Sequence, residues 1–446
     1  MKSLENYNKT IFGISLPKLI AIVFFLAILT SCNKDDDAAP LQVALSNISP
    51  ESGPKNTLVA INGISFGTNT ANVKVYFNDV EAIVESVTDS EIKAAVPRLA
   101  MTGLVKVIVD GKELIGPEFT YEFSEAHVTT IAGKKREGGY ADGQGADARF
   151  GAMNGIALGK EGNVFITEPG NNDIRKITPN GLVSTLLKSE SGFQDGSLSE
   201  AKISWPNDMA IDDNGNMYIA DTNNYRIRKI SPEGVVSTLA GGIYGYADGQ
   251  GIEAKFILMY GITVDTIGNV YVAETTGDHS RIRKITPEGM VSTLAGGERG
   301  YADGQGAGAK FDFVYGLAVD SLGNVIVSDP GNSKIRKISP TGLVSTIAGS
   351  DEGFEDGNGD EAKFKHPRGI TVDKLDNIYV AEYSNQRIRK ISPDGTVSTL
   401  AGTGFGGYVD GEGLNASMIF PRAITVDDDF NLYFTQNFVV RKITLE

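Results

Sequence analysis

Residues 364–402 read FKHPRGITVDKLDNIYVAEYSNQRIRKISPDGTVSTLAG, and this stretch determines the fold because versions of it recur along the chain. Its Ile-Arg-Lys-Ile segment returns in every copy, beginning at Ile174, Ile227, Ile282, Ile335, Ile388 and, as Val-Arg-Lys-Ile, at Val440. The mean period, from Arg175 to Arg441, is (441 − 175)/5, or about 53 residues. Each copy holds four short apolar segments separated by Gly, Asp and Asn, which predicts the four antiparallel strands of one β-propeller blade.

The number of copies predicts a closed ring. A version of the Val-Ser-Thr-Leu-Ala-Gly segment, which is fourth in the repeat, also stands ahead of any first segment, as Val-Thr-Thr-Ile-Ala-Gly in residues 128–133. The last copy stops after its third segment, at Ile443. Because a closed ring leaves no exposed strand edge, residues 128–132 are expected to pair with residues 440–443 and to complete a sixth blade.

The repeat also resembles a known family. The pattern Phe-x-x-Pro-x-Gly-Ile, followed by Gly-Asn-Val-Tyr-Val-Ala-Asp and Arg-Ile-Arg-Lys-Ile, resembles the NHL repeat, most clearly in residues 205–241 and 364–402. The resemblance implies a six-bladed propeller over residues 127–446. It implies no single activity, because that family includes binding modules, scaffolds and a few lyases.

A second all-β domain is predicted over residues 42–123. Residues 73–77 (VKVYF) and 105–109 (VKVIV) alternate as half-buried strands, and Asn78-Asp79 and Asp110-Gly111 supply turns. Together with ISPESGP at 48–54 and GISFG at 63–67, they resemble the IPT/TIG family, which implies an immunoglobulin-like sandwich. In that family the module is often a spacer or a protein-contact domain.

The N-terminus carries a targeting signal. Three lysines precede an apolar run at residues 19–29, and eleven residues form a helix of about 16 Å, too short to span a bilayer. Leu29-Thr30-Ser31-Cys32 resembles the lipobox of bacterial lipoproteins, which implies removal of residues 1–31, lipidation of Cys32 and a tether at 32–41. Asp35-Asp36-Asp37 resembles the surface-export signal of Bacteroidetes lipoproteins, which implies an outward-facing outer-membrane protein; the alternative is a solvated linker.

Composition excludes some functions. The chain has 41 Lys and Arg against 56 Asp and Glu, a net charge of −15, so general attraction to nucleic acid is not expected. Cys32 is the one cysteine, which excludes an internal disulfide, a multi-thiolate zinc site and a thiol nucleophile in the propeller.

Two sets of acids recur with the repeat, and both are interpreted as structural. One follows the Gly-Tyr-Ala loops: Asp142, Asp195, Asp248, Asp303, Asp356 and Asp410. The other ends each second strand: Glu168, Asp221, Glu274, Asp329 and Glu382, with Gln436 in the sixth blade. The Arg of each Ile-Arg-Lys-Ile segment is expected to be half-buried and to need such a carboxylate. A hard cation in the channel is the alternative.

The candidate ligand-binding residues are those that vary inside the constant repeat. The residues just before the innermost strands are Asn154, Asn207, Tyr260, Tyr315, Arg368 and Arg422. By symmetry they should ring one mouth of the central channel, where their side chains could stack on and hydrogen-bond a ligand. Two positions earlier, Trp205, Phe313, His366 and Phe420 could line the rim.

The sequence gives little support for a catalytic function. Lyases of the resembling family hold a metal with several His residues, whereas the histidines here are His127, His279 and His366, expected in a hinge, in a loop and at the mouth. No catalytic residue, metal or cofactor is predicted. The sequence favours a monomeric lipoprotein, held at the membrane only by its lipid, whose propeller binds a carbohydrate or a partner envelope protein. A metal-dependent lyase or hydrolase and a passive scaffold are the alternatives.

Overall fold

The computed structural model describes residues 42–123 and 126–445, which are all-β as predicted. The predicted signal peptide, the lipidated Cys32 and the tether lie outside these residues. The helical elements of the described chain are three-residue 3-10 turns at Thr70–Asn72, Gly145–Asp147, Lys160–Gly162, Pro169–Asn171, Thr222–Asn224, Gly251–Glu253, Gly306–Gly308, Pro330–Asn332 and Gly413–Asn415. No helix in this part of the chain has the length and apolar character to cross a bilayer.

The first domain is a sandwich of eight strands. They are β1 (Ala44–Ser49), β2 (Ser52–Gly53), β3 (Leu58–Ile64), β4 (Val73–Phe77), β5 (Val80–Val87), β6 (Glu91–Ala95), β7 (Gly103–Val109) and β8 (Lys112–Tyr121). Strand β5 pairs with β6 on one edge and with β4 on the other, and a bulge between Val84 and Ser86 interrupts its register. A single hydrophobic core lies inside the sandwich and includes Ile61, Ile92 and Val107.

The second domain is a six-bladed propeller. Blades 1 to 3 contain β10 (Gly143–Gln144), β11 (Ile156–Leu158), β12 (Val164–Glu168), β13 (Asp173–Ile177) and β14 (Leu182–Lys188); β15 (Gly196–Ser197), β16 (Pro206–Ile211), β17 (Met217–Asp221), β18 (Arg226–Ile230) and β19 (Val235–Gly241); and β20 (Gly249–Gln250), β21 (Met259–Val264), β22 (Val270–Thr275), β23 (His279–Ile285) and β24 (Met290–Glu298). Blades 4 to 6 contain β25 (Gly304–Gln305), β26 (Leu317–Val319), β27 (Val325–Asp329), β28 (Lys334–Ile338) and β29 (Leu343–Ala348); β30 (Gly357–Asn358), β31 (Pro367–Val372), β32 (Ile378–Glu382), β33 (Arg387–Ile391) and β34 (Thr396–Ala401); and β35 (Gly411–Glu412), β36 (Pro421–Val426), β37 (Leu432–Gln436) and β38 (Val439–Leu445), with β9 (Ala126–Gly133).

Each blade has five strands where the repeat pattern predicts four. The additional strand is a two-residue segment on the outer edge, such as β20, in which Gly249 pairs with Val291 and Gln250 with Met290. Two residues are too short to show the alternation by which a strand is recognised, so the pattern could not predict it.

The ring closes through the predicted pairing. Strand β9 lies beside β38, with Val440 opposite Ala132 and Ile443 opposite Val128, so the first propeller strand in the sequence belongs to the last blade. Val128 and Ile443 are both buried in one core cluster. The closure leaves the inner four-stranded part of blade 6 complete, and β35 adds the outer edge on β9.

The two domains touch at the end of the propeller opposite the predicted mouth. In blade 6 the mouth end is where Pro421 pairs with Gln436, and the turn between β36 and β37 lies at the other end. Phe430 in that turn lies 5.3 Å, centroid to centroid, from the ring of Phe123, at the end of the sandwich domain. Leu99 and Met101 pack on the same cluster. The mouth therefore faces away from the N-terminal domain.

Candidate binding site at the channel mouth

The recurrent acids hold the blades together. Arg336 donates from Nη1 to Asp329 Oδ2 at 2.8 Å and from Nη2 to Asp303 Oδ1 at 2.5 Å, and it also bonds the carbonyls of Lys310 and Ala302. The six equivalent arginines are Arg175, Arg228, Arg283, Arg336, Arg389 and Arg441, and all are fully buried rather than half-buried as expected. A charge buried at this depth is costly unless it is paired. Each arginine bonds one residue from each of the two recurrent sets, and for Arg441 these residues are Gln436 and Asp410.

These contacts set the ionisation of the acids. Burial raises the pKa of Asp329 to about 6, although Asn332 and Arg336 act to lower it. Burial also acts to raise the pKa of Asp142, but the hydrogen bonds of Arg175 and Thr185 outweigh it and hold that pKa below the usual range. Among the described residues no group of three or more His, Cys, Asp or Glu side chains is arranged to hold a metal ion.

The six predicted mouth residues lie around one end of the channel, in contact with one another. Arg422 Nη1 donates to Asn154 Oδ1 at 2.7 Å, and Asn154 Nδ2 donates to Asn207 Oδ1 at 2.5 Å. Asn207 Nδ2 then donates to the carbonyl of Met259, the residue before Tyr260. This half of the ring is a hydrogen-bonded chain across blades 6, 1, 2 and 3.

The other half of the ring is aromatic and cationic. The rings of Tyr260 and Tyr315 lie 5.6 Å apart between centroids. The guanidinium of Arg368 lies 5.0 Å from the Tyr315 ring centre and 3.8 Å from that of Tyr383, and the guanidinium of Arg422 lies 5.8 Å from Tyr383. Contacts therefore continue around the whole mouth. Burial raises the pKa of Tyr315, so its hydroxyl is a neutral hydrogen-bond donor at pH 7.

The four predicted rim residues share an uncommon backbone conformation. Trp205, Phe313, His366 and Phe420 all adopt left-handed φ angles, of 58°, 67°, 49° and 50°. A bulky residue in this region costs about 1–3 kcal/mol and persists only where its surroundings impose it. All four side chains are exposed, Trp205 to 46%. The turn thus directs an apolar surface into solvent beside the mouth.

Two residues of the site were not predicted from the sequence. Tyr383 follows the acid of the second strand in blade 5; it stacks on Phe420 at 4.8 Å and touches both mouth arginines. Asp208 is the third residue of β16, the innermost strand of blade 2; the equivalent residues of the other blades are Gly155, Gly261, Gly316, Gly369 and Ala423. The same comparison of blades, applied one position further along, identifies Asp208.

Asp208 is a carboxylate inside the channel. The channel has a cavity volume of about 330 Å³ and is lined by residues of all six innermost strands, among them Ile262, Leu317 and Val372. Asp208 Oδ2 accepts a hydrogen bond from the Ile262 N–H at 3.0 Å. Burial raises the pKa of Asp208 to about 7. The mouth therefore leads to one acid that changes charge near neutral pH.

The histidines do not converge. His127 lies in β9 and His279 in β23, within strands rather than in the expected hinge and loop. His366 alone is at the mouth, where Nδ1 lies 2.7 Å from Ser384 Oγ. In the turn after the second strand of blade 2, Asn224 Nδ2 donates to Asp221 Oδ2 at 2.8 Å.

Fold and site together define a propeller with an immunoglobulin-like N-terminal domain and a varied channel mouth. Residues 44–123 match the IPT/TIG domain, and residues 204–230 and 364–391 match the NHL repeat. The chain thus carries an IPT/TIG domain followed by NHL repeats that form a six-bladed propeller.

Curated relatives share the propeller over part of their length. The chain is 29% identical over 287 residues to Protein SUPPRESSOR OF QUENCHING 1, chloroplastic, of Arabidopsis thaliana, covering 59% of this chain and 27% of that protein. It is 29% identical over 335 residues to NHL repeat-containing protein 2 of Gallus gallus, covering 65% of this chain and 46% of that protein. The chain therefore spans less than half the length of these relatives.

Solved structures share both domains. A Bacteroides thetaiotaomicron protein of unknown function superposes with a TM-score of 0.65 at 23% identity, over 91% of this chain and 99% of that one. An auxiliary nutrient binding protein from Bacteroides ovatus superposes with a TM-score of 0.56 at 20% identity, over 91% and 98%. At these identities the likeness establishes the fold.

Proposed function

We propose that this chain is a surface-exposed lipoprotein of the outer membrane and a non-catalytic binding module that takes a carbohydrate at the propeller's channel mouth. The observation that carries the proposal is the continuous ring of Asn, Tyr and Arg side chains around that mouth, set on six blades whose other recurrent polar residues are committed to structure. Tyrosine rings stack on sugar faces, and Asn and Arg bond hydroxyls.

The domain arrangement supports this function. The sandwich docks on the turn at Phe430, so a chain anchored through its N-terminus would present the mouth away from the anchor. The nutrient-binding protein of Bacteroides ovatus has the same two-domain fold, which fits a binding role for this chain. A partner envelope protein is the second occupant that the mouth could take.

Binding assays on residues 42–446 test the proposal. We expect the protein to bind a subset of a glycan array and to lose that binding when Tyr260→Ala, Tyr315→Ala and Arg368→Ala are combined. The matched control is Ile267→Ala with Leu322→Ala, two exposed apolar residues at the opposite end of the propeller, which should bind normally. A pull-down from envelope extract with the same variants tests for a protein partner. An interaction that the triple variant retains would show that the mouth is not the binding surface.

Three further measurements separate the alternatives. Elemental analysis of untagged protein should find no stoichiometric metal; a bound transition metal would favour a lyase or hydrolase. Cys32→Ser should abolish acylation and release the protein from the membrane fraction, as two or more acyl chains are needed for stable anchoring. Protease treatment of intact cells then tests whether the propeller faces outward.

A further inference from the structure

The two mouth arginines differ from the six fully buried arginines of the Ile-Arg-Lys-Ile segments. Each of those six guanidinium groups bonds a residue from both recurrent sets, as Arg336 does with Asp329 and Asp303. Arg368 and Arg422, in contrast, have no carboxylate within ion-pair distance anywhere in residues 42–123 or 126–445. Their charges are uncompensated in a protein of net charge −15.

Aromatic rings hold these two cations beside each other. Tyr383 lies against both guanidinium groups and is itself stacked on Phe420. Arg368 makes its described contacts to the faces of Tyr315 and Tyr383, so its N–H groups at the ring edge are not used by the fold. Arg422 uses Nη1 on Asn154, while its Nε is buried and has no partner among the described residues. Two guanidinium groups without a carboxylate partner thus lie near one ring in neighbouring blades of the mouth, and guanidinium groups bind planar or tetrahedral anions.

The opposite side of the mouth carries a carboxyl group. In a six-bladed ring, blade 2 lies across the channel from blade 5, so Asp208 faces the side that holds Arg368. Within residues 42–123 and 126–445 Asp208 forms no ion pair, and it accepts a hydrogen bond from the backbone of blade 3. A ligand that spans the mouth therefore meets cations at one edge and a hydrogen-bond acceptor at the other.

We infer that the mouth recognises an acidic glycan, with a carboxylate or sulfate of one sugar bound between Arg368 and Arg422 and a hydroxyl of the same sugar directed to Asp208. This inference rests on the proposed carbohydrate-binding function and adds its ligand class. Tyr260 and Phe313, whose rings lie 5.8 Å apart, supply the surface on which the next sugar stacks. Asp208 disfavours a second anionic group on the channel side, so the site selects one acidic group per bound sugar.

The test is an array on which each acidic oligosaccharide, uronate or sulfated, is printed beside its carboxyl-reduced or desulfated counterpart. Residues 42–446 should bind acidic members and bind their neutral counterparts at least about tenfold more weakly, since a charge-assisted bidentate contact is lost. Arg368→Gln and Arg422→Gln should each lower affinity for the acidic members by a similar factor. Arg226→Gln is the control, because Arg226 stacks on Phe193 and lies on the third strand of blade 2, outward from the channel and outside the ring of mouth residues. Separate uronate and sulfate sets distinguish the two anions.

The outcomes divide cleanly. If neutral counterparts bind as well as acidic ones, with dependence on Tyr260 but not on the arginines, the acidic ligand class is wrong and the carbohydrate-binding function stands. Acidic binding that survives both Arg→Gln changes also overturns the inference. If no glycan binds more tightly to the native protein than to the triple mouth variant, the proposed function itself fails. Thermal unfolding of each variant confirms that a loss of binding is not a loss of folding.

Discussion

At the scale of single residues, the buried arginines carry the largest local energies of the propeller. Arg336→Met should destabilise the protein by about 3–5 kcal/mol, because it leaves the buried Asp329 without its counter-charge. Replacing the half-buried neighbour, Lys337→Met, should change stability by no more than about 0.5 kcal/mol. Urea unfolding measures both, and Asp329→Leu added to Arg336→Met should recover part of the loss. Equal effects at the two positions would contradict the assignment.

Blade 1 replaces the usual cation with an acid. In blades 2 to 5 the residue before the Ile-Arg-Lys-Ile segment is a cation stacked on a loop aromatic, and these cations are Arg226, Arg281, Lys334 and Arg387. In blade 6 this residue is Val439. In blade 1 this position is Asp173, which lies opposite Glu168 on one strand and Lys188 on the other. Lys188 takes over the stacking, 4.2 Å from the Tyr140 ring centre. The cation has thus moved from one strand to its neighbour.

This exchange predicts a dependence of stability on pH. Burial, together with repulsion from Glu168, raises the pKa of Asp173 to about 8, while an unfolded Asp titrates near about 4. Between these values the folded state binds a proton that the unfolded state releases, so the contribution of Asp173 to stability falls as pH rises. Asp173→Asn removes this term. Its gain in unfolding free energy over wild type should grow by at least about 1 kcal/mol from pH 5 to pH 8; a gain that is constant with pH would rule out the shifted titration.

At the scale of elements, the pairing of β9 with β38 closes the ring. Val128→Asp places an unpaired charge in the core cluster at this closure and should cost several kcal/mol. His127→Asp, on the exposed neighbour, should be close to neutral. Hydrogen exchange gives the specific readout: amides of Val439–Leu445 should lose protection in Val128→Asp before those of blade 3 do. Uniform loss across all blades would indicate that closure is not a local element.

The elements also show what the sequence could predict. The number of blades, the closure of the ring and the mouth positions can be predicted from the repeat. Each copy has the same strands and turns, so equivalent positions can be compared six times within one sequence. Tyr383 was not predicted because it belongs to the turn after the second strand of blade 5, and the register that brings it beside Arg368 of the same blade, with Pro367 opposite Glu382, is not visible in the repeat pattern. The full burial of the six arginines also depends on packing. The alternation of side chains along a strand indicates which face a residue is on, whereas full burial arises when the neighbouring loop covers the side chain.

At the scale of the whole molecule, the domain contact at Phe123 sets the direction of the mouth. Phe123→Asp should weaken docking of the sandwich on Phe430, because Phe123 is a partly buried residue that packs on the edge of both core clusters. Small-angle X-ray scattering should then show a larger maximum dimension and a broader distance distribution. Ile115→Asp, at an exposed sandwich residue, is the control and should scatter as wild type. Unchanged scattering in Phe123→Asp would mean that other contacts fix the domains.

The central claim is that the channel mouth is the ligand-binding surface. A crystal structure of residues 42–446 with an acidic oligosaccharide selected on the array tests it most directly. We predict electron density for the sugar at the mouth, with its anionic group within hydrogen-bond distance of Arg368 and Arg422 and a hydroxyl near Asp208. Sugar density bound only to the sandwich or to the outer edges of the blades, with the mouth holding solvent, would contradict the claim.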